Sequence, residues 1–133
     1  MSKSETGYTE DHARKGLTES LPELQCFPNQ FADSDYMIEI EIPEYSSVCP
    51  KTGLPDSGCL KIEYIPDRHC LELKSLKFYI LAYRNLGIFY ENAVNRILED
   101  LVKAVQPRWM KIRGEFNPRG GIYTRVEREY RKK

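Results

Sequence analysis

The chain has 133 residues, which is enough for one domain with a core of limited size. Lys plus Arg and Asp plus Glu each number 20, so the formal net charge is zero, and a general nucleic-acid-binding surface is not expected. The chain has neither the apolar run of a signal peptide nor the roughly 20 apolar residues that span a bilayer, so we expect no membrane partner.

The N-terminal region, residues 1–33, is polar and has no sustained hydrophobic period. We predict that it is an arm, either disordered or draped over a single domain formed by residues 34–133. The four cysteines have no Cys-x-x-Cys spacing, which predicts reduced thiols and a cytoplasmic location. They are Cys26, Cys49, Cys59 and Cys70.

Four segments alternate apolar and charged side chains with the period of a half-buried strand. They are residues 38–42, 60–64, 110–116 and 122–126. Pro43 is expected to end the first strand, and residues 117–121 are expected to form the hairpin loop between the last two.

Two helices are predicted between the second and third strands. An extended piece over residues 70–73 leads to Ser75, a predicted N-cap, and a helical stripe then runs from Leu76 to Tyr83. The stronger periodic signal covers residues 89–105 and is closed by Pro107. The resulting order is β-β-α-α-β-β.

Each predicted strand has one apolar face, which indicates an antiparallel sheet covered by helices on one side only. The opposite face carries charged side chains, and an open four-stranded sheet leaves two edges to protect. Closing several sheets into a ring would solve both problems.

Three segments carry the chemistry of the chain. Residues 49–56, CPKTGLPD, place one cysteine seven residues before one aspartate on a loop stiffened by Pro and Gly. Residues 72–79, ELKSLKFY, set two lysines and a serine where a strand turns into a helix, and residues 116–121 read FNPRGG. A thiol, a carboxyl group and a cationic patch indicate covalent chemistry on a small molecule with an anionic cofactor.

These three segments, in this order, resemble the QueF family of NADPH-dependent nitrile reductases over about residues 27–128. The resemblance implies an α+β tunnelling fold (T-fold) of the single-module type, assembled as stacked rings (a decamer) with active sites between subunits. It also implies reduction of 7-cyano-7-deazaguanine (preQ0) to 7-aminomethyl-7-deazaguanine in queuosine biosynthesis. Tyr90 departs from the pattern, because many members have histidine there.

The resemblance implies a role for each of three groups of residues. The catalytic pair is Cys49 as nucleophile and Asp56 as general acid. The substrate would contact Leu71, Glu72, Leu73, Tyr90 and Glu91. NADPH would contact Leu73, Lys74, Lys77, Arg119 and Gly120, and no metal is expected.

These residue types suit the reaction. A thiolate can add to a nitrile carbon and give a thioimide that accepts hydride, while the nitrogen is protonated in step. A carboxylate such as Glu91, kept ionised by its helix terminus, can accept the two parallel hydrogen bonds of a guanine-like edge. Without a Gly-x-Gly-x-x-Gly turn, the cofactor would bind by a route other than a Rossmann site.

Simpler interpretations stay open for each feature. Cys49 can be a small buried hydrophobe, Asp56 a turn residue, and Glu91 a helix-stabilising charge. The lysines can be a solvated face, and His69 with nearby cysteines can be compared with a zinc site, although the spacing does not fit one. Two other functions are an amidinotransferase acting on preQ0 in tRNA and a non-catalytic purine- or pterin-binding T-fold module.

Overall fold

A computed structural model describes residues 7–133, and this range contains six strands and three α-helices. The strands are β1 (Cys26–Pro28), β2 (Ile38–Val48), β3 (Pro55–Ile65), β4 (His69–Leu71), β5 (Trp109–Arg119) and β6 (Ile122–Arg131). The helices are α1 (Glu10–Arg14), α2 (Leu73–Leu81) and α3 (Tyr90–Val105), and a 3-10 turn over Ala82–Asn85 follows α2.

The main sheet is antiparallel and has the strand order β2-β3-β5-β6, while β1 and β4 form a separate two-stranded ribbon. The core lies between one face of this sheet and the helices α2 and α3, and it is fully closed to solvent at Ile62, Ile97, Leu101 and Ile112. The predicted β-β-α-α-β-β order is therefore confirmed for the main sheet and its two helices.

The first strand is longer than its sequence pattern indicates, and the prediction that Pro43 ends it is wrong. Strand β2 continues to Val48, and its pairing with β3 shifts register between Ile42 and Tyr45. A proline has no N–H to donate, and an irregular position in an edge strand does not require one. The strand therefore resumes and delivers Val48 to the loop that follows.

The neighbouring strands are also longer than predicted. Strand β3 begins at Pro55, so Asp56 lies in a strand and not in a loop. Strand β5 runs to Arg119, and only Gly120 and Gly121, with φ angles of 56° and 80°, form the hairpin turn. Glycine adopts such positive φ angles without steric cost, which explains why the turn is shorter than the predicted loop.

Helix α2 begins earlier than predicted, and Glu72 caps it instead of Ser75. Both carboxylate oxygens of Glu72 accept backbone N–H groups, from Lys74 at 2.7 Å and from Ser75 at 2.8 Å. Ser75 instead donates its hydroxyl to the Glu72 carbonyl at 2.8 Å and accepts the Gln25 N–H at 2.9 Å. Helix α3 agrees with the predicted range and ends at Val105, and its C-cap residue Gln106 has a left-handed conformation.

The segment predicted as an arm contacts the rest of the chain at several places. Its β1 strand pairs with β4. Further toward the N-terminus, Asn92 of α3 donates to the Ala13 carbonyl at 2.6 Å, and Arg96 donates to the carbonyls of Gly16 and Glu19. The division into an arm over residues 1–33 and a domain over residues 34–133 stays a prediction.

The face of the sheet away from the helices is lined by paired charges. Lys61 lies 3.5 Å from Glu39 across β2 and β3, and Arg113 lies 3.5 Å from Glu127 across β5 and β6. Among residues 7–133, no helix is long and apolar enough to cross a membrane.

Candidate active site

The loop that joins β2 and β3 holds Cys49 in a closed turn. The Cys49 N–H donates to the Leu54 carbonyl at 2.9 Å, and the Gly53 N–H donates to the Cys49 carbonyl at 3.0 Å. Gly53 has a φ of 73°, which favours glycine. Two further hydrogen bonds, Val48 N–H to the Leu86 carbonyl and Ile88 N–H to the Val48 carbonyl, each 3.0 Å, tie this loop to the segment before α3.

Burial and hydrogen bonding act in opposite directions on the pKa of the Cys49 thiol. Burial raises its pKa, because the thiolate is then less well solvated. Hydrogen bonds from the Thr52 hydroxyl and from the backbone N–H groups of Thr52 and Lys51 lower the pKa, although the nearby Asp56 carboxylate acts to raise it. The net result is a pKa below that of an ordinary thiol, which favours the nucleophilic thiolate.

Asp56 is buried at the start of β3, with 6% of its surface exposed, and two side chains contact its carboxylate. The Tyr90 hydroxyl donates to Asp56 Oδ1 at 3.0 Å, and Arg119 Nε lies 2.9 Å from the same oxygen. Arg119 also donates to the Pro55 carbonyl. The three residues come from β3, α3 and β5, so the fold, not the sequence spacing, brings them together.

Tyr90 is held by its ring as well as by its hydroxyl. The ring stacks on Phe116 with centroids 3.9 Å apart and planes inclined by 16°. Burial and the Asp56 carboxylate raise the pKa of Tyr90 to about 12, so its phenol stays protonated at neutral pH. Tyr90 is therefore a fixed hydrogen-bond donor to the Asp56 carboxylate.

Glu91 and Gly120 lie near this cluster. Glu91 is exposed in the first turn of α3, directly after Tyr90, and Gly120 is in the β5–β6 turn next to Arg119. The candidate residues Cys49, Asp56, Tyr90, Glu91, Arg119 and Gly120 thus occupy one end of the sheet.

The remaining candidates lie at the other end of the sheet. The Leu71 N–H donates to the Tyr64 hydroxyl at 3.0 Å, and Tyr64 is near the end of β3 opposite to Asp56. Eight residues separate Tyr64 from Asp56, which is about 26 Å at the rise of a strand. Leu71 is buried and Glu72 caps α2, whereas the other three candidates are exposed. Those three are Leu73, Lys74 and Lys77.

A cavity of about 530 Å³ opens beside the N-terminus of α2, and Glu72, Lys74 and Phe78 are among its lining residues. The backbone hydrogen bonds from Lys74 and Ser75 lower the pKa of Glu72, so this carboxylate is charged. Since Glu72 occupies those two N–H groups, an anionic group bound here would depend on the lysine ammonium groups.

Three residues contribute to the Cys49 and Asp56 environment without having been predicted from the sequence. Thr52 lies inside the CPKTGLPD segment and hydrogen-bonds the Cys49 thiol. Its position three residues after the cysteine is the sequence signal that could have indicated this role. Phe116 opens the FNPRGG segment and supports the Tyr90 ring. Ser47 is buried and pairs directly with Asp56 in the β2–β3 register, which the prediction that Pro43 ends the strand concealed.

The described residues contain no group of three or more His, Cys, Asp or Glu side chains arranged to hold a metal ion. All four cysteines are free thiols, and Cys59 is exposed on β3 while Cys70 is buried in β4.

The strand order with two helices on one face defines a tunnelling-fold protein. The model of the QueF-like protein family matches residues 55–133. A reductase of Elusimicrobium minutum, named NADPH-dependent 7-cyano-7-deazaguanine reductase, is 57% identical over 133 residues, the whole of both chains. This chain belongs to the QueF-like protein family, as its sequence resemblance predicted.

Two further comparisons support this result. A protein of the same name from Chloroherpeton thalassium is 59% identical over 107 residues, which cover 80% of this chain and 92% of that protein. The crystal structure of the archaeosine synthase QueF-Like in the apo form has a TM-score of 0.66 and 27% identity, and covers 72% of this chain and 94% of that one. The predicted α+β fold is confirmed.

Proposed function

We propose that this chain is an NADPH-dependent nitrile reductase that converts 7-cyano-7-deazaguanine to its 7-aminomethyl form. The similarity over its full length to a reductase of that name carries the proposal. The geometry supports it, because a thiol with a lowered pKa lies near a buried carboxylate that is itself held by Tyr90 and Arg119.

The first step belongs to Cys49. Its thiolate adds to the nitrile carbon, a C–S bond forms, one C–N π bond breaks, and the nitrogen takes up one proton to give a thioimide without a leaving group. The hydrogen bonds from Thr52 and Lys51 favour the thiolate that this step needs.

Asp56 is placed to handle protons at the substrate nitrogen. Reduction of a nitrile to an amine takes two hydrides and two protons, of which one proton is taken up as the thioimide forms and the other must keep pace with hydride addition. Tyr90 and Arg119 both contact Oδ1 of the carboxyl group, so its orientation is set before the substrate arrives. The C–S bond breaks after the first hydride has added, which frees Cys49 and leaves an imine that takes up the second hydride.

NADPH supplies hydride to the substrate carbon when it is bound. Lys74 lines an open cavity and Lys77 is exposed further along α2, so both are cations that fit its phosphates. Arg119 and Gly120 lie on a separate turn at the catalytic end. Glu91 would orient the substrate through its pyrimidine edge.

A second subunit would complete each site. Asp56 lies about 26 Å along β3 from Tyr64, whose hydroxyl accepts the Leu71 N–H, so one chain does not bring Asp56 and Leu71 to one small molecule. Assembly of several copies into rings, with unpaired edges β2 and β6 side by side, would place one end of a subunit against the other end of its neighbour. Free thiols at all four cysteines support a reducing compartment such as the cytoplasm.

The decisive assay is NADPH oxidation dependent on preQ0, together with intact-mass analysis of protein and preQ0 without NADPH. The proposal expects both NADPH oxidation and a mass gain of one whole substrate, and expects neither in Cys49→Ala. Asp56→Asn should still gain the substrate mass but reduce it about a hundredfold more slowly.

The archaeosine synthase neighbour makes an amidinotransferase the specific alternative. Adduct formation followed by transfer of an amine, with no NADPH oxidation, would favour that alternative. Binding of preQ0 without any covalent mass gain would leave only a binding module.

A further inference from the structure

Strand β2, which pairs with β3, carries two buried hydroxyl groups close to Asp56. Ser47 of β2 is the direct partner of Asp56 in the β2–β3 register, and the two are 0% and 6% exposed. Directly opposite residues of an antiparallel pair point to the same face, with their Cβ atoms about 5 Å apart. Two positions earlier, Tyr45 points to the same side and is 1% exposed.

The hydroxyls of Ser47 and Tyr45 are buried, and neither has a hydrogen-bond partner among the described residues. Burial raises the pKa of Tyr45, so this phenol stays protonated, and the neighbouring Ser47 hydroxyl acts to lower that pKa. Because an unpartnered buried hydroxyl destabilises a fold, retaining two of them beside one carboxyl group calls for a functional reason.

The carboxylate of Asp56 is engaged from one side only by the contacts described above. Both Tyr90 and Arg119 reach Oδ1, which leaves the other oxygen for a further partner. A serine hydroxyl is suited to that place, since it can donate to an ionised carboxylate and, after rotating, accept from a carboxylic acid.

We propose that Ser47 is a positioning residue for Asp56. The Ser47 hydroxyl hydrogen-bonds the Asp56 carboxyl group in both of its protonation states, directly or through one water molecule. This inference rests on the proposed function. An acid that gives up a proton and takes one back in each reaction cycle has to be held in both its charged and its neutral form. Arg119 is a donor only and favours the charged form, whereas a hydroxyl such as that of Ser47 can donate to the charged form and accept from the neutral form.

The test separates the two chemical steps in three variants of the full-length protein. Ser47→Ala removes the hydroxyl, Ser47→Thr keeps one, and Ser46→Ala is the matched control, because Ser46 is adjacent, half-buried and on the opposite side of the strand. Thioimide formation with preQ0 is followed by intact mass, and hydride transfer to the preformed thioimide is followed by single-turnover NADPH absorbance.

In Ser47→Ala, hydride transfer should slow about tenfold while thioimide formation stays within about twofold of wild type. Ser47→Thr should restore most of the hydride-transfer rate, and Ser46→Ala should match wild type in both steps. This split is not expected from a loss of packing, which would disturb the adjacent Cys49 loop as well.

Three results would overturn the inference. They are equal hydride-transfer rates in Ser47→Ala and Ser46→Ala, equal losses in both steps for Ser47→Ala, or a folded Ser47→Thr variant as slow as Ser47→Ala. A wild-type protein that oxidises no NADPH with preQ0 would instead overturn the proposed function, so the two failures are distinct.

Discussion

At Cys49, burial and hydrogen bonding act on one thiol in opposite directions, and hydrogen bonding has the larger effect. The donors belong to the same short loop as the thiol, because the turn closed by the Leu54 and Gly53 hydrogen bonds directs N–H groups inward. Successive backbone N–H groups of this kind form a concave site for an anion. Activation of the thiol is therefore a property of the loop conformation.

Thr52→Val tests this activation with a side chain of nearly the same shape. Loss of the Thr52 hydroxyl removes one of the groups that stabilise the thiolate, so the pKa of Cys49 should rise. Alkylation of Cys49 should slow at neutral pH and approach the wild-type rate at alkaline pH, where the thiol is ionised in both proteins. Peptide mass spectrometry against pH distinguishes Cys49 from the other three cysteines. A pH profile identical to that of wild type would show that the backbone N–H groups suffice.

Tyr90 contacts Asp56 through a single atom, and this contact can be removed without removing the ring. In Tyr90→Phe the stack on Phe116 is kept and the donor to Asp56 Oδ1 is lost. We expect unchanged thioimide formation and about tenfold slower hydride transfer, since the carboxyl group is less firmly oriented. Thioimide formation can be followed by intact mass in samples quenched at successive times, and a slower rate there would instead assign Tyr90 to substrate binding.

At the scale of whole elements, a buried hydroxyl chain joins α2 to α3. Tyr79 donates to Asp100 Oδ2 at 2.6 Å and lies 3.0 Å from the Tyr83 hydroxyl, while Arg96 Nε donates to the same Asp100 oxygen at 3.3 Å. Arg96 also holds the N-terminal segment through the Gly16 carbonyl. The two helices and the N-terminal segment are therefore linked at one point.

Tyr79→Phe breaks this link at its centre. The Tyr83 hydroxyl loses a neighbour and Asp100 loses a donor, so the variant should be less stable by about 1–2 kcal/mol. Urea unfolding at a fixed protein concentration measures the change, and Tyr123→Phe is the control because Tyr123 is exposed. Equal midpoints for the two variants would show that Asp100 and Tyr83 find other partners.

The sequence predicts the elements of this fold better than their limits. The apolar row of α3 and the alternation in residues 38–42 and 60–64 identify elements correctly, because burial on one face imposes a period. The strand extension past Pro43 depends on pairing with β3, a non-local contact that leaves no periodic signal. Likewise, Glu72 displaces Ser75 as N-cap because β1 pairs with β4 and sets where the helix begins.

The candidate site was predictable only as a set of segments. Spacing in CPKTGLPD places Cys49 and Asp56 in one loop region, but nothing local predicts that Arg119, more than 60 residues later, contacts Asp56. Since the β3–β5 pairing creates that contact, it emerges only from the sheet register. The same register places the ELKSLKFY segment at the opposite end, which the linear order of the motifs does not indicate.

For the molecule as a whole, the sheet has two features that favour association with a second copy of the chain. Strands β2 and β6 are edges of the sheet, and the charged face carries ion pairs that run across all four strands. Exposed backbone groups on long edge strands favour pairing with another chain. Light scattering of the full-length protein should therefore find an oligomer, whereas a fully active monomer of 15.6 kDa would contradict the shared site.

Subunit mixing tests whether the two ends of different subunits form one site. Asp56→Asn damages the catalytic end, and a Lys74→Ala, Lys77→Ala double variant damages helix α2, which begins beside the opposite end of β3. Each variant alone should be nearly inactive in NADPH oxidation. Unfolded together at equal concentration and refolded, they should recover about a quarter of wild-type activity, because a random interface joins two intact ends in that fraction of sites. Refolding each variant alone is the control, and a mixture no more active than their average would mean that each subunit carries its own complete site.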